Sequence, residues 1–304
     1  MEQMNNTGFA SFNVLRKSLQ AKSAKTLVVA AAHDRHTLEA VYAYEKEMPI
    51  NYILVGDHDK ILAFSADIGE TPNEDNILHC SDNAECAKIA VNLIREGKGD
   101  VLMKGIIDTG TLLKAVLDKD EGIRASELMS HVAMLEVPEY HKLIIITDGG
   151  MVTSPNLEQK RGIVENAVGF CRKLGITQPK VAAICASEAI NPKLPETVEA
   201  RALQDMSRNG EFGDCIIEGP ISFDLAVDTT SARTKGFESE ITGQPDILLV
   251  PNITAGNAMA KSLLYWAGAK MAGCVLGAKA PIVLVSRGAT AEEKLLSIMI
   301  CMAT

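Results

Sequence analysis

Pro281-Ile282-Val283-Leu284-Val285-Ser286-Arg287-Gly288-Ala289-Thr290-Ala291-Glu292-Glu293-Lys294 sets the reading of the whole chain. Its first six residues carry β-branched and apolar side chains, the pattern of a short buried strand. Gly288 breaks that run, and Thr290 with Glu293 has the T-x-x-E spacing of a helix capping box. Residues 294–300 then place apolar side chains on one side of a helix. Ser286 and Arg287 therefore stand at the carboxyl end of a strand, facing the positive end of the next helix. Open parallel sheets bind ligands at that place, and a helix N-terminus favours an anion. The stretch predicts an anion site, with phosphate as the first expectation.

Working outward, the same strand–turn–helix unit recurs. Phe9, Phe12, Leu15 and Leu19 predict an amphipathic helix over 9–24. Strands are predicted at 26–32, ending in His33-Asp34-Arg35-His36 before a helix to 47, at 51–55 closed by Gly56-Asp57, and at 76–79. A helix over 83–96 leads into 101–103, which stops at Lys104-Gly105 before a helix over 111–117. After a less regular stretch (118–140), the alternation restarts with a strand at 143–147 ending in Asp148-Gly149-Gly150, then a helix over 157–174. Strands follow at 180–186, at 214–218 before Gly219-Pro220, and at 247–250 before Pro251-Asn252-Ile253-Thr254-Ala255-Gly256-Asn257, with a helix over 197–208. This β-α alternation predicts an α/β protein with parallel sheets covered on both faces. The expected plan is two doubly wound lobes with an interdomain cleft. One lobe takes residues 1–130 with a return at 277–304, and the other takes 131–276.

Hydrophobic residues make up 47% and charged residues 23% of the 304, as in an ordinary globular protein, while aromatics at 4% leave the core to Val, Ile, Leu, Ala and Met. A net charge of −9 without a Lys/Arg block argues against a nucleic-acid or anionic-membrane partner. An anionic substrate must then be captured by local groups against the global field. No apolar run approaches a membrane span, and residues 27–32 are too short for a signal-peptide core. Seven cysteines without a C-x-x-C pair fit free thiols in a reducing cytoplasm, neither a disulfide framework nor a zinc site.

Several motifs fail. No G-x-G-x-x-G follows the first strand, and no G-x-S-x-G elbow is present. The stretch from Lys104 to Thr111 has glycine spacing close to a P-loop but lacks the lysine after its second glycine. All six histidines lie at or before His141, so none is evidently paired with the C-terminal serine. His33 and His36 have metal-ligand spacing, but without a nearby set of Cys or carboxylates a capping or surface role is favoured. Cys171, Cys185, Cys215 and Cys274 sit among apolar residues and read as core.

Three strand ends survive. Thr254-Ala255-Gly256-Asn257 offers small residues at a helix start, where backbone N–H groups can meet a ligand or simply open the helix. The Ser286-Arg287-Gly288 turn places an arginine whose fork suits phosphate or carboxylate, the plainer reading being a salt bridge. Asp148-Gly149-Gly150 lines a site or makes a tight turn.

The segments Glu218-Gly219-Pro220-Ile221-Ser222-Phe223-Asp224, Val250-Pro251-Asn252-Ile253-Thr254-Ala255-Gly256-Asn257 and Ser286-Arg287-Gly288 together resemble the phosphate acetyl/butyryltransferase family. Met103-Lys104-Gly105, Ile146-Thr147-Asp148-Gly149-Gly150 and the glutamate-lysine ending of the last segment lean toward its butyryl branch. The resemblance implies two lobes with an isocitrate dehydrogenase-like fold, usually in a homo-oligomer. It implies reversible transfer of a short acyl group between coenzyme A and inorganic phosphate, in a ternary complex with no metal and no cofactor. The runner-up is the same reaction on acetyl or branched acyl groups. A decarboxylating dehydrogenase on a related fold would need clustered aspartates and a nicotinamide site, and neither is evident.

On the family pattern, Arg287 binds phosphate and Ser286 hydrogen-bonds the tetrahedral oxyanion, with Gly288 beside them. Thr254, Gly256, Asn257 and Lys104 are implied phosphate or coenzyme A ligands. One of Glu292 and Glu293 is the base for the thiol and the other a helix cap. The family cysteine that can follow Ser-Arg-Gly is Ala289 here.

Overall fold

A computed structural model describes residues 8–20, 23–286 and 288–304; Arg287 lies outside the described residues. The chain divides into two compact units, a middle unit (Ser130–Met271, with the described residues up to Phe12) and a flanking unit (Asn13–Met129 with Ala272–Thr304). The expected division fell at 130/131 and 276/277, and it placed the described residues up to Phe12 with the flanking lobe. They go with the middle unit, where Leu143 donates its N–H to Phe9 O (2.7 Å) and Phe12 N–H reaches the Glu136 carboxylate (2.6 Å).

Chain order begins with α1 (Phe12–Leu19), β1 (Lys25–Ala30), α2 (Arg35–Glu47), β2 (Ile50–Gly56), α3 (His58–Asp67), β3 (Ile77–His79), α4 (Asn83–Arg95), β4 (Val101–Lys104) and α5 (Thr109–Val116). Four of these helices start the same way. Asp34, Asp57, Asp82 and Asp108 each accept the backbone N–H three residues on, satisfying an orphan donor at the start of α2, α3, α4 and α5. Asp57, which reads in sequence as a turn after β2, is one of these caps; α3 follows it, with only Ile61 and Ser65 of its residues buried.

The middle unit holds β5 (Ser130–Glu136), β6 (Ile144–Thr147), α6 (Leu157–Lys173), β7 (Lys180–Ile184), α7 (Pro195–Arg208), β8 (Ile216–Ile221), α8 (Phe223–Val227), α9 (Thr229–Lys235), β9 (Ile247–Leu249) and α10 (Ile253–Trp266). Its strand order is β5-β6-β9-β7-β8, parallel except for β5 against β6. Leu135, Ile144, Ile146, Ala182, Ile221 and Leu248 form its core, with side chains from the strands meeting those of α8 and α10. The chain closes with β10 (Lys270–Leu276), β11 (Ile282–Val283) and α11 (Ala291–Met302). In the flanking unit the order is β3-β2-β1-β4-β11-β10, parallel except for β10 against β11. Both units are therefore α/β, with helices joining parallel strands, as the alternation predicts.

The expected strand at 281–286 is shorter than predicted. β11 covers only Ile282–Val283, paired with Leu102 and Met103 of β4 on one side and with Val275 and Cys274 of β10 on the other. The stretch 118–140, read as irregular, contains β5.

Candidate active site

In the flanking unit the carboxyl ends of β1, β4 and β11 lie side by side, because β1 pairs with β4 and β4 with β11 in parallel register. Ser286 follows β11, is exposed, and its carbonyl accepts the Ala289 N–H at 3.0 Å in a tight turn. Gly288 is exposed in that turn, and a Cβ built on it meets nothing within 4 Å. Packing does not demand glycine there. Arg287, the residue expected to bind phosphate, lies outside the described residues.

α11 then starts as the T-x-x-E spacing predicts. Thr290 Oγ1 accepts the Glu293 N–H at 3.2 Å, and Glu293 Oε2 accepts the Thr290 N–H at 2.7 Å, closing the capping box. Glu292 is exposed in the same turn and Glu293 half-buried. Of the two candidate bases, Glu293 is the one engaged as a cap.

Lys104, at the end of β4, is half-buried, and its ammonium donates to the carbonyls of Gly105 (3.2 Å) and Ile107 (2.8 Å). Gly105 beside it is required by close approach, since a Cβ there would lie 2.1 Å from Ala31 O. At the end of β1, His33 Nδ1 accepts the Asp57 N–H at 3.2 Å, which leaves the ring proton on Nε2. Burial, followed by the charge of Lys60, holds His33 below its usual range. Among the described residues, no group of three His, Cys, Asp or Glu stands ready to hold a metal.

The middle unit has its own cluster of strand ends, in which β6 and β9 are parallel neighbours. Asn252, three residues after the end of β9, caps α10 by accepting the Ala255 N–H at 3.0 Å. Thr254 and Asn257 are exposed on the first turn and Gly256 is buried. A Cβ on Gly256 would lie 2.8 Å from Gly149 Cα, so the first turn of α10 rests directly on the Asp148-Gly149-Gly150 turn. Asn257 Nδ2 donates to Gly149 O at 3.3 Å across that contact.

Asp148 holds the turn together. It is 2% exposed; Oδ1 accepts the N–H groups of Gly150 (2.8 Å) and Met151 (2.7 Å), and Oδ2 accepts that of His131 (3.0 Å). His131 is the second residue of β5 and packs its ring against Gly150, where a Cβ would come within 2.9 Å of the ring. Its Nδ1 is buried with no hydrogen-bond partner among the described residues. Burial depresses its pKa, and the Asp148 carboxylate opposes that shift. Sequence reasoning noticed the Asp-Gly-Gly turn but missed His131. The available signal was the run Ser130–Glu136, which places a histidine at the start of a strand.

The Glu218-to-Asp224 segment begins with two residues held by hydrogen bonds and packing. Glu218 accepts from Gln204 Nε2 (2.5 Å) and Ser239 Oγ (2.9 Å), and Gly219 packs on Ala183, where a Cβ would meet the alanine methyl at 2.7 Å. All seven cysteines are free and buried, and burial pushes the Cys185 thiol up to about 11 and Cys215 to about 12. They behave as core residues.

The phosphate acetyl/butaryl transferase family matches residues 81–302. The chain is 41% identical to a phosphate butyryltransferase of Clostridium acetobutylicum, over 95% of this chain and 96% of that one. It is 39% identical to a phosphate acetyltransferase of Thermotoga maritima, covering 90% of this chain and 93% of that relative. Among solved structures, a branched-chain phosphotransacylase from Enterococcus faecalis V583 superposes with a TM-score of 0.81 at 34% identity, covering 92% of this chain and 98% of that one.

Proposed function

The chain belongs to the phosphate acetyl/butaryl transferase family, and we propose from that premise that it interconverts butanoyl-CoA plus phosphate with butanoyl phosphate plus CoA. It is a transferase of the isocitrate dehydrogenase-like α/β fold. The same transfer on acetyl or branched acyl groups is the second reading, since one methylene in an apolar pocket is worth only about 1–3 kcal/mol. The observation that carries the reading is the exposed Ser286 turn after β11, set directly before the capping box of α11.

In the direction that consumes acyl phosphate, a carboxylate takes the CoA thiol proton and the thiolate attacks the acyl carbonyl. The carbonyl π electrons move onto oxygen, where Ser286 Oγ–H donates to the developing oxyanion. Collapse of that intermediate re-forms the carbonyl and expels phosphate, whose charge Arg287 receives. Gly288 and Lys104 serve the phosphate, and Thr254, Gly256 and Asn257 serve the substrates from the first turn of α10. The reaction as written balances with two substrates and needs no metal or cofactor.

Either Glu292 or Glu293 takes the proton, and glutamine separates them. Gln serves in a capping box as Glu does, so Glu293→Gln keeps the helix start and removes only a base. Collapse of kcat with unchanged Tm in that variant assigns the base to Glu293; the same result in Glu292→Gln assigns it to Glu292.

The seven free cysteines support a cytoplasmic enzyme, and Tyr265 and Trp266, 74% and 88% exposed at the end of α10, support a homo-oligomer. Light scattering on a sizing column tests the second point. No described helix is long and apolar enough to cross a membrane.

The deciding experiment measures thiol release from acetyl-, propionyl-, butyryl- and isobutyryl-CoA with and without phosphate. Phosphate-dependent release, fastest with butyryl-CoA, is expected, and release indifferent to phosphate overturns the reading. Arg287→Ala should greatly lower turnover without unfolding the protein.

A further inference from the structure

The sequence 33–36, at the end of β1, has no part in the reaction as written, yet it reaches the start of α11. Lys294 Nζ lies 3.4 Å from Asp34 Oδ2, a pair separated by 260 residues in sequence, with side chains 11% and 22% exposed. The same Oδ2 accepts the N–H (3.0 Å) and hydroxyl (2.6 Å) of Thr37, so the cap of α2 and the first turn of α11 share one carboxylate oxygen. Burial alone would raise the Asp34 pKa, but the Thr37 hydroxyl and the Lys294 charge together hold it below its ordinary value.

A lysine in the first turn of a helix sits at the positive end of the macrodipole, where a cation is disfavoured. Lys294 is also largely buried, and burying a charged side chain is unfavourable unless it is paired. Its place in that turn therefore depends on Asp34. Lys294 directly follows Glu292 and Glu293, so whatever fixes Lys294 fixes the turn that carries both candidate bases. One turn further on, Ser297 Oγ accepts the Gly273 N–H at 2.9 Å and donates to Glu293 O at 2.6 Å. The local capping box shapes the turn, Ser297 ties the following turn to β10, and Asp34 fixes the first turn against α2, which packs along α11.

We propose that Asp34 is a positioning residue for acyl transfer, holding the first turn of α11 through Lys294 so that its carboxylate meets the CoA thiol. This rests on the reading that α11 supplies the base.

Three variants test it. Asn caps a helix as well as Asp does, so Asp34→Asn keeps the start of α2 while removing the charge. Lys294→Met keeps the stem without the ammonium, and Lys294→Arg restores a cation. Both uncharged variants should fold, and their kcat should fall by about 10- to 100-fold, the cost of a slightly misplaced catalytic group. KM for acyl-CoA and for phosphate should stay within about twofold, and Lys294→Arg should recover most of the parental kcat. In the unliganded protein, amide hydrogen exchange over residues 291–295 should quicken by about tenfold in the two uncharged variants.

Parental kcat in both uncharged variants, or parental exchange over 291–295, overturns the proposal. So does a rise in the phosphate KM at constant kcat, which would make Lys294 an anion ligand instead. If the parent protein shows no phosphate-dependent thiol release, the functional reading fails, while the exchange measurement still decides whether Asp34 holds the turn.

Discussion

Replacing Asp148 by Asn is the sharpest test of how the strand ends of the middle unit are built. The carboxylate is 2% exposed and accepts three backbone N–H groups, from His131, Gly150 and Met151, at 2.7–3.0 Å. Asn has the same shape but offers only one oxygen. That oxygen will turn to the two donors of Gly150 and Met151, leaving the amide NH₂ facing the His131 N–H. The change removes one charge-assisted bond, worth about 1.5–3 kcal/mol, and leaves a donor unsatisfied at about 1–3 kcal/mol. Relief of a buried charge returns part of this, so the net loss should be about 2–4 kcal/mol. In a unit of this size each kcal/mol moves the midpoint by about 2–4 °C, which gives a fall of about 4–16 °C in Tm. Urea unfolding followed by circular dichroism reads the free energy, and calorimetry reads Tm. Because Gly149 carries α10 through Gly256 and Asn257, the amides of residues 149–151 should also exchange faster. A loss below about 0.5 kcal/mol at an unchanged m-value, the range of an ordinary surface substitution, would refute the role assigned to those three bonds.

Lys142→Met should destabilise by about 3–5 kcal/mol in urea melts, because it strips the partner from a buried carboxylate; Lys142 and Asp246 are each 5% exposed and 2.5 Å apart. Gly105→Ala drives a Cβ to 2.1 Å from Ala31 O and should lose about 2–4 kcal/mol. Gly288→Ala meets no atom within 4 Å and should leave Tm unchanged, yet raise the phosphate KM where ligand approaches that turn. Burial lowers the folded pKa of His131 below its ordinary 6.5, so the unfolded chain binds the proton more readily. Stability should therefore decline as pH falls below about 6.5 and continue to decline until the folded pKa is passed; His131→Gln should flatten that limb in pH-dependent melts.

What could be read in the sequence was local. The Thr290–Glu293 box and the β-α alternation depend on residues within a few positions of one another, and the structure contains them. What could not be read depends on partners far apart. β5 is buried on both faces over most of its length, so it lacks the two-residue alternation that marks a strand. The strand before Ser286 pairs only over Ile282–Val283, a fact that belongs to the pairing with β4 and β10 and not to the apolar run itself.

The same division runs through the site. The turn carrying Ser286 and Gly288 and the helix start carrying the two glutamates stand where the sequence pattern puts them, but the tie between that helix start and α2 was not legible. Asp34 reads only as part of the polar turn after the first strand, and the fold brings Lys294 to it across 260 residues. His131 reads as one histidine among six until pairing with β6 sets its N–H on Asp148. Sequence motifs name groups able to do chemistry, because those groups must sit at fixed offsets from a turn or a cap. The groups that hold them in place need only be close in space, and many sequences can arrange that. Discrimination among acyl chains should therefore be sought first in residues that no motif marks.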